Sequence, residues 1–343
     1  IVKEFRQVRR DKRTLAMMIV MPIVLLIVFG YAASFDVSDI STVVYGPAAE
    51  QVSDVLPDLF EVDVVDTDGG VDDAMDALRK ADAVVAIVAE QGSPTVYIDG
   101  SQLFAARAAS QAMALASQSI SGLSVDVLYN PDLETSAVLV PGLGGLILLF
   151  IGMIITSLGV VKERQAGTLE QLAVMPLKPS DVFIGKIAPY FLVAFIDLAV
   201  VLGVGTVLFD VPFNGSVWTL GLGAILFLFV TLGMGVLVSS VSENQGQAIQ
   251  LALMALLPQI LLSGLIFPLS SMAAGVRWIG YLLPLTYFNK VALGVMLRDA
   301  SVADLWFPLV VLVGMGIVIF GFAVIRFRRD LAASSRDKES KAA

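Results

Sequence analysis

The chain has 343 residues, 57% of them hydrophobic and 15% charged, with a mean hydropathy of +0.84; soluble domains run at roughly 45–50% apolar and 25% charged, so a bilayer is the solvent for most of this chain. It has no cysteine and no histidine, which excludes disulfide frameworks, thiolate nucleophiles, zinc-histidine centres and both the serine-histidine and cysteine-histidine constellations. The formal charge of -9 divides unevenly: residues 35–135 hold 18 acidic and 3 basic side chains, a net of -15, leaving +6 on the remainder, and an acidic segment of that kind argues against a nucleic-acid partner.

Residues 1–14 carry Lys3, Arg6, Arg9, Arg10, Lys12 and Arg13 and read as a basic amphipathic interfacial helix. It would anchor on anionic membrane lipid, at about 1 kcal/mol per basic residue near the surface, or serve as a docking surface for a partner. A helix crosses the roughly 30 Å hydrocarbon core in about 20 residues. Six stretches qualify: residues 15–34, 137–161, 187–209, 217–238, 248–267 and 305–325. The first is too long for a cleaved signal peptide and lacks a small-residue cleavage site before Phe35.

Orientation follows from basic residues near span ends. The segment before the first span, residues 162–186 and the tail 327–343, taken with Arg326 at its root, hold 16 of the 22 Lys and Arg. Both termini are therefore expected in the cytoplasm of a plasma-membrane protein, with the acidic domain outside.

Residues 35–136 alternate β-branched runs with helical stretches: strands at 41–45, 62–65, 83–88, 95–98 and 125–129, helices at 48–60, 71–80 and 103–121. This is the pattern of a small extracytoplasmic α/β domain inserted between spans 1 and 2. Asp99-Gly100-Ser101 supplies a turn and an N-cap before the third helix. Residues 268–304, between spans 5 and 6, are too apolar for an ordinary loop and too interrupted by Pro and Gly to span. They read as an outer re-entrant hairpin of two short helices, 273–283 and 286–296, broken at Pro284.

Asp197 is the one charge inside a span, at roughly 2.5–3.5 kcal/mol on insertion scales, so it should face the bundle interior or water as a substrate-path or interface contact. Gln247, Gln250 and Gln259 sit loosely on one face of the fifth span, where they serve helix–helix hydrogen bonding or a polar conduit. Between spans 2 and 3 the stretch KERQAGTLEQLAVMPLKPSDVFIGK, residues 162–186, is short, charged and locally structured: Thr168 caps a helix with Leu169 and Leu172 on one face, and Pro176 ends it. By itself this is a solvated connector or a knob that docks on a cytoplasmic partner.

Taken together, these segments resemble the permeases of the ATP-binding cassette type-2 family. KEFRQVRRDKRTLAMMIVMPIVLLIVFGYA is similar to that family's interfacial helix and first span, and DDAMDALRKADAVVAIV and VYIDGSQ to members with a large extracytoplasmic domain. The 162–186 stretch resembles the pattern Glu-Arg-Glu-x-Gly-Thr-x-Glu-x-Leu followed by a proline and Gly-Lys; LPLTYF, residues 283–288, resembles the outer hairpin and places Pro284 and Tyr287 in it. The resemblance implies that Glu163, Arg164, Gly167, Thr168, Leu169, Glu170 and Leu172 form the coupling helix that touches a separate cytoplasmic ATPase. Pro176, Gly185 and Lys186 would fix the return into the membrane. Gln165 and Met175 depart from the pattern, which leaves individual contacts there open.

The mechanism so implied is nucleotide-driven closure of two ATPase subunits, transmitted to a homodimer or paralogous pair of six-span chains that expel a hydrophobic or amphipathic substrate. This chain would be no enzyme and would bind no cofactor or metal, ATP and magnesium sitting on the ATPase. Its own sequence has no phosphate-cradling Gly-x-x-x-x-Gly-Lys-Ser/Thr loop, because Gly185-Lys186 precedes Ile187 and lacks the upstream glycine. The competing readings are an ion-coupled secondary transporter built on Asp197 and a secretion-accessory membrane protein; neither internal repeat nor second intramembrane charge accompanies the former.

Overall fold

The computed structural model describes residues 23, 37, 39–90, 94–117, 122–166 and 179–342. The expected interfacial helix 1–14, all but one residue of the expected first span, and residues 167–178 lie outside the described residues.

Residues 40–128 hold a five-stranded sheet built from β1 (Ile40–Tyr45), β2 (Phe60–Asp66), β3 (Val85–Val88), β4 (Thr95–Asp99) and β5 (Ser124–Leu128), in the order β2-β1-β3-β4-β5. β1 runs parallel to β2 and β3, β4 antiparallel to β3, and β5 parallel to β4. Helices α1 (Ala49–Ser53), α2 (Val71–Lys80) and α3 (Leu103–Ala116) fill the crossovers. Strand alternation divides the interior: Val44, Ile87 and Ile98 meet Ala106 and Met113 on one face, while Val43, Ala86 and Val88 meet Ala74 and Leu78 on the other. A sheet covered on both faces needs such apolar strands, and β3 is buried along its whole length. The helix read at 48–60 is cut to α1 because Pro57 has no N–H and its ring opposes the carbonyl of Ser53; the chain turns instead, Phe60 N–H donating to Pro57 O at 2.9 Å.

Five helices among the described residues are long and apolar enough to cross a membrane. The first, Thr135–Gln165, is continuous over α4 (Thr135–Phe150), a π-helical turn (Ile151–Ile155) and α5 (Thr156–Gln165). Its 31 residues reach about 46 Å, well beyond the hydrocarbon core. Then come α6 (Pro179–Leu208), α7 (Val217–Val241) and α8 (Gln245–Leu262), a short hairpin of α9 (Ala274–Gly280) and α10 (Pro284–Met296), and α11 (Trp306–Ala342).

α7 is the hub, packed by α4, α5, α10 and α11. α10 is inserted beside it rather than laid on a surface: Phe227 and Phe288 stack at 4.7 Å between centroids, and Leu285, Phe288, Val291 and Val295 are fully buried. α10 begins on Pro284 itself, at the first helical position, where the fixed φ suits the helix and the missing N–H has no partner to lose; the break between the hairpin helices lies just before it. Across the interface, a Cβ on Gly145 of α4 would come within 2.7 Å of Phe288 and 2.8 Å of Leu285, so α4 and α10 pack this closely only with glycine there. Among the described candidate spans α6 is the least covered, with Leu192, Ile196, Val200 and Val204 exposed.

Candidate functional site

Three places carry buried polar chemistry, and the first and third of them include expected site residues. The first is the end of the bundle remote from the α/β domain, where Glu163 and Arg164 occupy the last turn of α5, both half-buried. Arg164 Nη1 donates to Ser239 O and Ser242 O, each at 3.1 Å. These are carbonyls at the C-terminal end of α7, where backbone acceptors lack helical partners and the helix dipole favours a cation. Gln245 Nε2 donates to Gln165 Oε1 at 3.1 Å, and Asn244 caps α8 by accepting from Gln247 N at 3.0 Å. Arg164 therefore braces the α5–α7–α8 corner from which residues 167–178 depart, a role within the chain that its expected part in partner contact did not anticipate. Gly167, Thr168, Leu169, Glu170 and Leu172 lie outside the described residues.

The second place joins the α/β domain to the bundle. Arg298, just past α10, is 5% exposed, and its Nη1 lies 3.3 Å from Asp99 Oδ2 and 3.0 Å from Ser101 Oγ. Asp99, at the end of β4, is wholly buried and its Oδ1 accepts from Ser101 N at 2.9 Å. The side chains expected to cap α3 are thus directed to the bundle: α3 is capped by Gln102 without a side-chain bond. The same end of α10 is held by the α6–α7 loop, Asn214 N–H donating to Met296 O and Asn214 Nδ2 to Leu297 O, both at 2.9 Å. Arg298 was not among the expected site residues; a basic residue at the end of an apolar hairpin helix was the available signal.

The third place is a seam between α4, α8 and α10. Gln259 is 1% exposed; its Oε1 accepts from Leu285 N at 3.2 Å, at the start of α10 where the backbone N–H has no helical acceptor. Tyr287 OH donates to Tyr281 O at 2.7 Å, which fastens the two hairpin helices. The expected grouping of the glutamines does not hold. Gln250 precedes Gln259 by two and a half helical turns, which puts it on the opposite side of α8, half-buried, while Gln247 is occupied at the cap, its Oε1 accepting from Glu243 N at 3.0 Å. Asp197 stands half-buried on α6, which packs against α4 and α7, and α8 packs against α4, α5, α7 and α10. Asp197, Gln250 and Gln259 are not gathered into one site.

A family model for ABC-2 family transporter proteins matches residues 12–325. The chain is 26% identical to the probable multidrug ABC transporter permease YbhS of Escherichia coli K12, with 96% of each chain covered. It is 34% identical to the probable multidrug ABC transporter permease YbhR of the same organism over 54% of this chain and 51% of the relative. It is 30% identical to the inner membrane transport permease YhhJ over 63% of this chain and 58% of the relative.

Proposed function

The chain belongs to the ABC-2 transporter family, and from that premise we propose that it is the membrane subunit of an exporter driven by a separate cytoplasmic ATP-binding cassette ATPase. Two such subunits, identical or paralogous, would form the translocation unit. Nucleotide-driven closure of the ATPases presses on residues 163–172; the α5–α7–α8 corner carries the displacement into the bundle, and a hydrophobic or amphipathic substrate leaves on the side of the α/β domain. The relatives named as multidrug permeases support cargo of that kind.

The observation that carries the coupling role is the Arg164 brace. A segment can push a bundle only if its root is rigid, and Arg164 ties that root to the carboxyl end of α7, the helix around which the bundle packs. Asp197 and Gln259 belong to the proposal as polar positions within the spans, and Gln250 as one reached from the other side of α8.

The test is co-purification of the tagged chain with the ATPase encoded beside it, and ATP hydrolysis with and without a Glu163→Ala, Glu170→Ala double change. A complex whose hydrolysis the double change uncouples, or which it dissociates, supports the reading. Failure of any ATPase to associate overturns it and moves Asp197-centred ion coupling to first place.

A further inference from the structure

Asn289 lies at the middle of α10, one helical turn beyond Leu285 and so on the same face that receives Gln259. It is 6% exposed, and neither its amide oxygen nor its amide nitrogen has a hydrogen-bond partner among the described residues. Ser263 Oγ, one turn beyond Gln259 on the same side of the chain, is also buried and unpartnered. Leaving a buried donor or acceptor unpaired is destabilising, and Asn289 presents two such atoms in a bundle interior that an apolar residue of equal size would fill without that loss.

The surroundings say what kind of group would pair with it. Gly142 of α4 lies against Asn289: a Cβ there would stand 3.6 Å from Asn289 Oδ1 and collide with Leu265. Leu265 beside Gly142, and Leu285 and Phe288 beside Gly145 one turn along α4, are apolar, and the polar side chains along the seam, Gln259, Ser263 and Asn289, are all uncharged. α4 carries Pro141 immediately before Gly142 and runs at its C-terminal end into the π-helical turn at Ile151–Ile155, so the segment facing α10 lies between two positions of the kind at which helices bend or re-register.

Resting on the exporter reading, we propose that the Asn289 carboxamide is the polar recognition point for the transported substrate, and that the substrate is an uncharged amphiphile whose head carries a hydrogen-bond donor beside an acceptor on one edge, as in a primary amide or a lactam. A carboxamide offers both functions in one plane and forms two reciprocal bonds with such a head, while the leucine and phenylalanine walls take the apolar part. The described state is the closed one, in which α4 covers Asn289 through Gly142. Separation of α4 from α10 opens the seam to the substrate.

The experiment uses the full chain in lipid nanodiscs without ATPase, so that its result is independent of partner association. Radiolabelled dodecanamide, whose primary amide carries an N–H on the same side as its carbonyl oxygen, and methyl dodecanoate, which has the acceptor but not the donor, are titrated against the wild type, Asn289→Leu and empty nanodiscs. The expected result is saturable binding of the amide above the empty-nanodisc background, about tenfold tighter than the ester, with Asn289→Leu abolishing that preference and leaving thermal stability equal or higher. Should Asn289→Leu fail to fold, Asn289→Ala, which removes both the acceptor and the donor, is expected to lose the same tenfold. Absence of saturable amide binding by the wild type, or an unchanged amide preference in the variants, overturns the proposal while leaving ATPase coupling untouched.

Discussion

Arg298 and Asp99 stand 199 positions apart in the chain and meet as a buried ion pair, Nη1 to Oδ2 at 3.3 Å, with side chains 4% and 0% exposed. The pair sits where the turn that follows β4 touches the end of the inserted hairpin. It makes the domain and α10 move together, and it sets the register between them, since neither charge has another place to go without leaving its partner buried alone.

Removal of one partner is therefore more damaging than removal of both. Arg298→Met is expected to destabilise the chain by about 3–5 kcal/mol, because the Asp99 carboxylate is left uncompensated. The double change Arg298→Met, Asp99→Leu should recover a large part of that loss. Thermal unfolding in detergent of the two single variants and the double variant measures the coupling, and strict additivity of the single losses would refute it.

At the opposite end, Arg164→Ala removes two charge-assisted bonds to the carbonyls that close α7. A loss of about 1.5–3 kcal/mol is expected. Arg164→Lys should restore part of it, since one ammonium cannot match a planar guanidinium reaching two acceptors. Hydrogen exchange at residues 238–242, faster in the Ala variant and intermediate in the Lys variant, is the check; equal protection in all three would show the brace to be inert.

The α4–α10 contact offers a steric test. Gly145→Ala places a methyl group within 2.7 Å of the Phe288 ring, which is itself stacked on Phe227 and cannot retreat. Overpacking of this kind costs about 1–3 kcal/mol. The same substitution at Gly185 or Gly203, where a Cβ meets nothing within 4 Å, should be close to neutral in the same melting experiment.

Acid should act on the start of α11. Partial burial pushes the Asp304 carboxyl up, but bonds from Ser301 Oγ at 2.7 Å and Ser301 N at 2.9 Å outweigh it and hold the group below its usual value. A depressed carboxylate contributes stability that is present above its unfolded pKa and lost as pH falls through the lower folded value. Trp306 fluorescence should therefore begin to change only below the ordinary carboxylate range. In Ser301→Ala the change should begin at higher pH; an identical profile in both would remove Asp304 from the account.

Asp197→Asn separates the two readings of the lone charge in a span. If the carboxylate serves transport, efflux falls while the chain still assembles; if it serves assembly, both fall. Unchanged efflux and unchanged assembly would leave it without a function.

The apolar runs 137–161, 187–209, 217–238, 248–267 and 305–325 were readable as candidate spans because length and hydropathy are properties of a local window, and the five helices long and apolar enough to cross a membrane follow them closely. Family membership was readable for a similar reason, since the short motifs around residues 162–186 and 283–288 are contiguous. Strand positions such as 41–45 and 95–98 came from β-branched runs, but their order across the sheet depends on which crossovers pack, and no local window holds that. A three-residue spacing on α8 made its glutamines look like one group, whereas capping took Gln247 and helical phase sent Gln250 away from Gln259. Only the folded chain could bring Arg298 to Asp99, close Gly142 over Asn289 and seat Arg164 on the end of α7. Each of those contacts joins residues far apart in sequence, and each is decided by the mutual packing of helices whose individual existence the sequence already determined.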